Sequence, residues 1–201
     1  MDPAHSSGVL KHVVSPELVK NHTVLLRLDL DVPIINGKVQ DDFRLKAGLP
    51  TLELCLEHAN SVVVCGHLGR PNGREVPDLS VAPIVSWLEN WYCDLELPPD
   101  RLHVLENLRF EDGEEALDLN FAKELATYGD FFVNESFAAH HPAASTTLLP
   151  TLLPCAAGLR FTYEVDILTK VRTNPKNPLV AIIGGAKIED KYQAIIELSK
   201  F

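Results

Sequence analysis

Positive charge is scarce in this chain: 18 lysines and arginines stand against 28 aspartates and glutamates, a formal net charge of −10 over 201 residues. That balance argues against a general electrostatic affinity for nucleic acid or an anionic membrane, so any anion site must be local. Cysteine is sparse too. Cys55, Cys65, Cys93 and Cys155 lie far apart with no CxxC pair, which points away from a zinc site or disulfide framework and toward buried thiols in a reducing cytosol. The start, MDPAHSSGVLKH, has neither the basic nor the apolar region of a signal peptide, so a cytoplasmic location is expected. Only residues 140–159 run uncharged for nearly a membrane-spanning length, and Pro142, Pro150 and Pro154 interrupt them. A loop with a short strand is expected there. GxSxG, HExxH and Walker A patterns are missing, as is a metal-ligand spacing among the histidines.

With 46% hydrophobic and 23% charged residues, the composition is that of a globular chain able to bury a sizeable core. Apolar runs of strand length recur at residues 23–29 (TVLLRLD), 61–65 (SVVVC), 102–105 (LHVL), 130–134 (DFFVN) and 179–185 (LVAIIGG). They are continuous rather than alternating, as in strands of a parallel sheet covered on both faces. Helical spacing lies between them. Leu45, Leu49, Leu52 and Leu56 form one stripe, which Pro50 should kink or restart; Ser80 can cap a second helix carrying Ile84, Leu88 and Trp91; Asn120 can cap a third. Alternating strands and helices predict an α/β layered domain, with ligands at the carboxyl ends of the strands. A further helical stretch covers residues 162–171, and RTNPKNP (residues 172–178) reads as a linker. The expected division is residues 1–160, a connecting helix and linker at 161–177, and a fresh strand-helix unit at 178–201.

Charged groups gather at the predicted strand ends: Arg27, Asp29 and Asp31 after the first, His67 and Arg70 after the second, and Arg109 after the third, with Arg44 close by in DDFR. In a parallel sheet Asp29, His67, Arg70 and Arg109 would share one edge. Arginine's planar fork suits a carboxylate or phosphate. Singly, each has a plainer reading: the aspartates as turn residues, His67 as a satisfied loop histidine, Arg109 as a partner of Glu106 or Glu111. GGAKIEDK is similarly either a tight turn with solvated lysines or a phosphate-approach loop, with Lys187 and Lys191 one helical turn apart.

Seven segments, in order, carry more than any one residue: RLDLDVP, DDFRLKAGLPTLELCLE, GHLGRP, LENLRFEDGEE, FAKELATYGDFFVNESFAAHH, AST and GGAKIEDK. The set resembles the phosphoglycerate kinase family along essentially the whole chain. The resemblance implies a two-lobed enzyme whose N-terminal lobe is a Rossmann-like three-layer parallel sheet with helices on both faces. That lobe would bind 3-phosphoglycerate or 1,3-bisphosphoglycerate, while the second lobe binds Mg-ADP or Mg-ATP. Implied substrate-binding residues are Asp29, Leu30, Asp31, Arg44, His67, Leu68, Gly69, Arg70, Arg109 and His141. Lys187 and Lys191 would meet nucleotide phosphates, Arg44 and Lys191 being the catalytic pair. A cytoplasmic, monomeric phosphotransferase of glycolysis with a carboxyl acceptor is the implied whole, and neither nucleic acid nor membrane is an expected partner.

Three departures qualify the resemblance. Asp31 stands where the family usually has asparagine. In AAHHPAAS, one residue shorter than the family's loop, His141 or Pro142 falls near an expected arginine. Each change would weaken anion binding by about 1–3 kcal/mol. The chain also covers about half of the family's usual length, so residues 1–201 alone are not expected to turn over. These departures keep a second expectation open, a non-catalytic anion-binding or interaction module derived from such an N-terminal lobe.

Overall fold

The computed structural model describes residues 12–95, 97, 98, 100–139, 141–176, 178–184 and 192–199. The chain divides into two compact units, residues 1–162 and 163–201. In the first, elements follow in the order α1 (Pro16–Val19), β1 (Thr23–Arg27), β2 (Ile34–Ile35), β3 (Lys38–Val39), α2 (Phe43–His58), β4 (Ser61–Cys65), α3 (Ala82–Cys93) and β5 (Leu102–Val104). Then come α4 (Asp112–Glu115), α5 (Leu119–Leu125), β6 (Phe131–Asn134), α6 (Leu149–Leu152) and β7 (Cys155–Ala157), and α7 (Leu159–Thr173) leads into the second unit, which includes α8 (Tyr192–Leu198).

Five strands form one sheet in the order β5-β4-β1-β6-β7, every pairing parallel. Its two faces can be read from the two-residue period of β1. Val24 and Leu26 enter a core with Val62, Val64, Leu52, Leu56, Ile84 and Leu88, so α2 and α3 cover that face. Leu25 enters the other, with Val63, Phe132, Leu108, Leu125 and Leu149, under α5 and α6. This is the expected α/β architecture with helices on both faces. The same period puts Arg27 on the face of Leu25, toward α4 and the turn before α6. Because β4 and β5 lie on one side of β1 and β6 and β7 on the other, the chain reverses its direction across the sheet at β1. A crevice at the carboxyl ends of the strands is the consequence.

Local departures from expectation have local causes. Pro50 does not restart α2, which runs through it. Pro50 is exposed, so the Lys46 carbonyl it leaves unbonded can face water, while buried Leu45, Leu52, Cys55 and Leu56 hold both halves to the sheet. Asp118, not Asn120, caps α5, accepting from the backbone N–H groups of Asn120 and Phe121. Ser80 lies one position before the cap of α3 and its hydroxyl accepts from Ala82 N–H at 3.2 Å. Between residues 140 and 159 stand a π-helical turn at Ala144–Leu148, α6 with Pro150 in its first turn, and β7. Cys55 and Cys65 are buried thiols, but Cys93 and Cys155 are exposed.

In the second unit, residues 179–184 form no strand. A lone apolar run gains strand hydrogen bonds only from a neighbouring strand, and none among the described residues pairs with it. Gly185, Lys187 and Lys191 lie outside the described residues. Among those described, no helix is long and apolar enough to cross a membrane.

Candidate functional site

The loops after β1, β4, β5 and β6 meet around a cleft of about 740 Å³. Arg27, Asp31, Arg44, His67, Gly69, Arg70, Asn72, Arg109, Glu114, Glu115, Ala138, Ala139, His141, Pro142 and Ala143 line it. Parallel strands thus bring residues from positions 27 to 143 together at one sheet edge.

The GHLGRP loop is fixed from below by Asn107. Its side-chain oxygen accepts from Leu68 N–H at 3.2 Å and Arg109 N–H at 3.1 Å, and its amide donates to the carbonyls of Leu68 at 2.7 Å and Leu79 at 2.9 Å. Gly69 has φ +62°, and a Cβ there would come within 2.8 Å of Leu79, so glycine is required on both counts. Its N–H donates to Asp31 Oδ1 at 2.9 Å, and its carbonyl accepts from Arg109 Nη1 at 2.8 Å. Asp31 therefore does more than face the cleft: one oxygen secures the loop, and the other lies 3.9 Å from Arg44 Nη1.

Arg44, in the first turn of α2, also approaches Asp29 Oδ1 at 3.4 Å. Arg109 pairs with Glu115 at 3.2 Å rather than with Glu106 or Glu111; Glu106 instead accepts from the hydroxyl of Ser80 and from Val81 N–H at 2.8 Å each. Arg27 lies 3.7 Å from Glu114. Arg70 alone of the lining arginines is in no ion pair among the described residues. Of the other expected residues, His141 lines the cleft, while Leu30 and Leu68 are buried in the core and do not line it, because their apolar side chains pack under the sheet edge.

Burial, reinforced by Arg27 and Arg109, pushes the His67 imidazole down to about 4. Its ring is therefore neutral at pH 7. Burial also lowers the Arg27 guanidinium, with Glu114 opposing that effect. Beyond the cleft, Glu135 follows β6 and accepts from Arg160 N–H at 3.0 Å at the start of α7. Burial raises its carboxyl to about 7 against the pull of those hydrogen bonds.

The expected residues Asp31, Arg44, His67, Gly69, Arg70, Arg109 and His141 thus converge, with Asp29 behind Arg44. Sequence reasoning placed Arg27 at a strand end without assigning it to the site, and it missed Glu114, Glu115 and Asn72. Glu114 and Glu115 stand in LENLRFEDGEE, where a run of acidic residues reads as a solvated face until α4 folds back over β1. Among the described residues no three His, Cys, Asp or Glu side chains converge as a metal site.

Comparison with known proteins agrees with the fold. The family profile for Phosphoglycerate kinase matches residues 15–201. The phosphoglycerate kinase of Moorella thermoacetica is 38% identical over 198 residues, covering 90% of this chain and 50% of the relative. That of a Roseiflexus species is 39% identical over 194 residues, covering 87% and 49%. Among solved structures, the phosphoglycerate kinase from Coxiella burnetii superposes with a TM-score of 0.79 at 32% identity, covering 89% of this chain and 49% of that one. The enzyme from Pyrococcus horikoshii gives 0.75 at 28%, covering 91% and 51%. The chain spans about half the length of these relatives, and over that half it belongs to the phosphoglycerate kinase family.

Proposed function

We propose that this chain is the substrate-binding half of a phosphoglycerate kinase, which moves a phosphoryl group between 1,3-bisphosphoglycerate with ADP and 3-phosphoglycerate with ATP. The observation that supports this most is the convergence of Arg27, Arg44, Arg70 and Arg109 on one cleft at the carboxyl ends of parallel strands. Phosphoryl transfer asks the protein for positioning and charge neutralisation, and these side chains offer both. Arg70 and Arg109 would hold the phosphate remote from the reaction, and neutral His67 would donate to it. Arg44, at the mouth of α2, would face the carboxylate and the transferring group, stabilising charge as it develops. Asp31 and Asp29 would keep Arg44 in place.

Residues 1–160 would form the phosphoglycerate lobe and 161–177 the connection. Residues 178–201 would begin the nucleotide lobe, where Lys187 and Lys191 would meet the phosphates of ATP or ADP. The described residues do not fit a magnesium site, so the ion would travel with the nucleotide. Titration of this chain with 3-phosphoglycerate tests the binding half: saturable binding that weakens at least tenfold in Arg70→Ala supports it, and binding unaffected by that change overturns it. A coupled assay on the full product of the gene tests turnover.

One observation favours a second reading, a binding module without catalysis. Three of the four arginines already face carboxylates, and His141 or Pro142 would stand near the place of the family's further cation. Phosphoglycerate binding without turnover by the full gene product would select it.

A further inference from the structure

Beneath the cleft runs a buried chain of polar groups that begins at α4 and ends on the His67 ring. Glu114 is 1% exposed and Ser145 0%, yet both are fully bonded to one another. Glu114 Oε2 accepts from Ser145 N–H at 2.9 Å, and Glu114 Oε1 accepts the Ser145 hydroxyl proton at 2.5 Å. A hydroxyl has a single proton. With that proton committed to Glu114, Ser145 Oγ can only accept from Arg27 Nε, at 2.7 Å. The guanidinium of Arg27, 1% exposed, is thereby fixed in rotation, and its Nη2 sits 3.4 Å from His67 Nδ1. Nη1 has no hydrogen-bond partner among the described residues, so the orientation is set from Nε and Nη2.

Arginine has no acceptor, so a hydrogen bond between Nη2 and Nδ1 demands a lone pair on Nδ1. In a neutral imidazole the proton then lies on Nε2. We propose that Glu114 and Ser145 are positioning residues for the cleft: through Arg27 they hold His67 as the neutral, Nε2-protonated ring, which offers an anion an N–H donor and not a charge. This rests on reading the cleft as the phosphoglycerate site only for the identity of the anion; the protonation state follows from the four side chains.

The groups around His67 act in the same sense. Arg27 from β1, Arg109 from the turn after β5 and Arg44 from α2 all disfavour a second proton, and only Asp31, from the loop after β1, favours it. Glu114 offsets Arg27 from 3.7 Å, while Arg70, Glu115 and His141 line the same space. Charging the ring would also place an Nδ1–H against an Arg27 N–H. An ordinary histidine would add positive charge to the cleft as pH falls through 6.5. Held as described, His67 contributes the same donor from pH 8 to pH 5.

Nitrogen-detected NMR of the imidazole rings in the full 201-residue chain, without ligand, from pH 4 to 8, tests this. The expected result is a His67 ring protonated on Nε2 alone down to about pH 5, with a bonded Nδ1. In Ser145→Ala the guanidinium loses its anchor and can turn to Glu114. His67 should then titrate closer to 6.5, its charged fraction at pH 6 rising at least tenfold from about 1%. Arg27→Met should have the same effect, and Ser145→Ala, which leaves the Arg27–Glu114 charge pair in place, decides if that variant does not fold. A wild-type His67 with its proton on Nδ1, or titrating near 6.5, overturns the proposal, as does an unchanged His67 in folded Ser145→Ala. Failure of 3-phosphoglycerate to bind would overturn the function proposed above and leave this NMR result standing.

Discussion

The wall of the cleft that follows β1, β4 and β5 carries all four lining arginines, whereas the wall that follows β6 offers Ala138, Ala139, His141, Pro142 and Ala143. Each wall also has a buried titrating group beside it, and the two are opposite in kind. His67, after β4, is pushed toward its neutral form by burial and neighbouring cations. Glu135, after β6, is pushed toward its neutral form by burial although backbone N–H groups favour the anion. The first wall is a set of cations restrained by carboxylates, and the second carries neither lysine nor arginine, its loop starting at a carboxylate that titrates near neutrality. An anion entering the cleft would therefore be gripped from one side and merely enclosed from the other.

The largest effect should come from breaking the first wall at its root. Arg27→Met leaves Glu114 buried without its cation and should cost about 3–5 kcal/mol in urea unfolding. Adding Glu114→Gln should recover part of that loss; no recovery would mean that the pair is not what holds this wall together.

Next is the pH dependence of stability, where the walls should oppose each other. His67 has a lowered folded value of about 4. Its contribution is present above pH 6.5 and is lost as pH falls from there through 4. Glu135 has a raised folded value of about 7. Its contribution is present below about 4.5 and is lost as pH rises through 7. Each spans about 3 kcal/mol. Between pH 4.5 and 6.5 the two slopes should largely cancel, so Glu135→Gln should unmask a stability that rises with pH and His67→Gln one that falls. Urea melts across that range check both signs.

Smaller effects concern binding. Arg70, the lining arginine in no ion pair among the described residues, should cost about 1.5–3 kcal/mol of 3-phosphoglycerate affinity when changed to Ala. Arg44→Ala should cost less, because its guanidinium already faces Asp29 and Asp31 in the free protein and must give up part of those contacts to meet an anion. Calorimetry ranks the two. Giving the second wall a cation, Pro142→Arg, should gain about 1 kcal/mol, measured the same way. Asp31→Asn should gain somewhat less: the amide oxygen can still accept from Gly69 N–H, and the carboxylate it replaces is already partly offset by Arg44.

How far the sequence foretold these walls depends on the range over which each feature is decided. The sheet strands were legible because SVVVC and DFFVN are too apolar to lie anywhere but between two layers. LVAIIGG has the same composition, yet residues 179–184 form no strand, because a strand also needs a neighbour that composition does not supply. The same limit applies in the helices: Pro50 looked like a break because its exposure was unknown, and the choice of Asp118 over Asn120 as a cap turned on a one-residue shift in backbone direction. In the cleft, charges directly after strands could be placed by topology alone, which is how Asp29, His67, Arg70 and Arg109 were found. Glu114 and Ser145 could not. Their meaning comes from packing across long separations, against a side chain of β1 whose own exposure, 1%, no arginine advertises.

The strand order has a consequence for how the molecule is made. β1 leaves a ribosome before either of its neighbours, yet it ends in the middle of the sheet, between β4 and β6. One edge can be covered once residues 61–65 appear, but its partner on the other side, Phe131–Asn134, is translated far later. At about 5–20 residues per second, that open edge would wait on the order of ten seconds. During that interval the nascent chain exposes a bare row of backbone donors and acceptors on its central strand, making this the stage at which a chaperone would matter most.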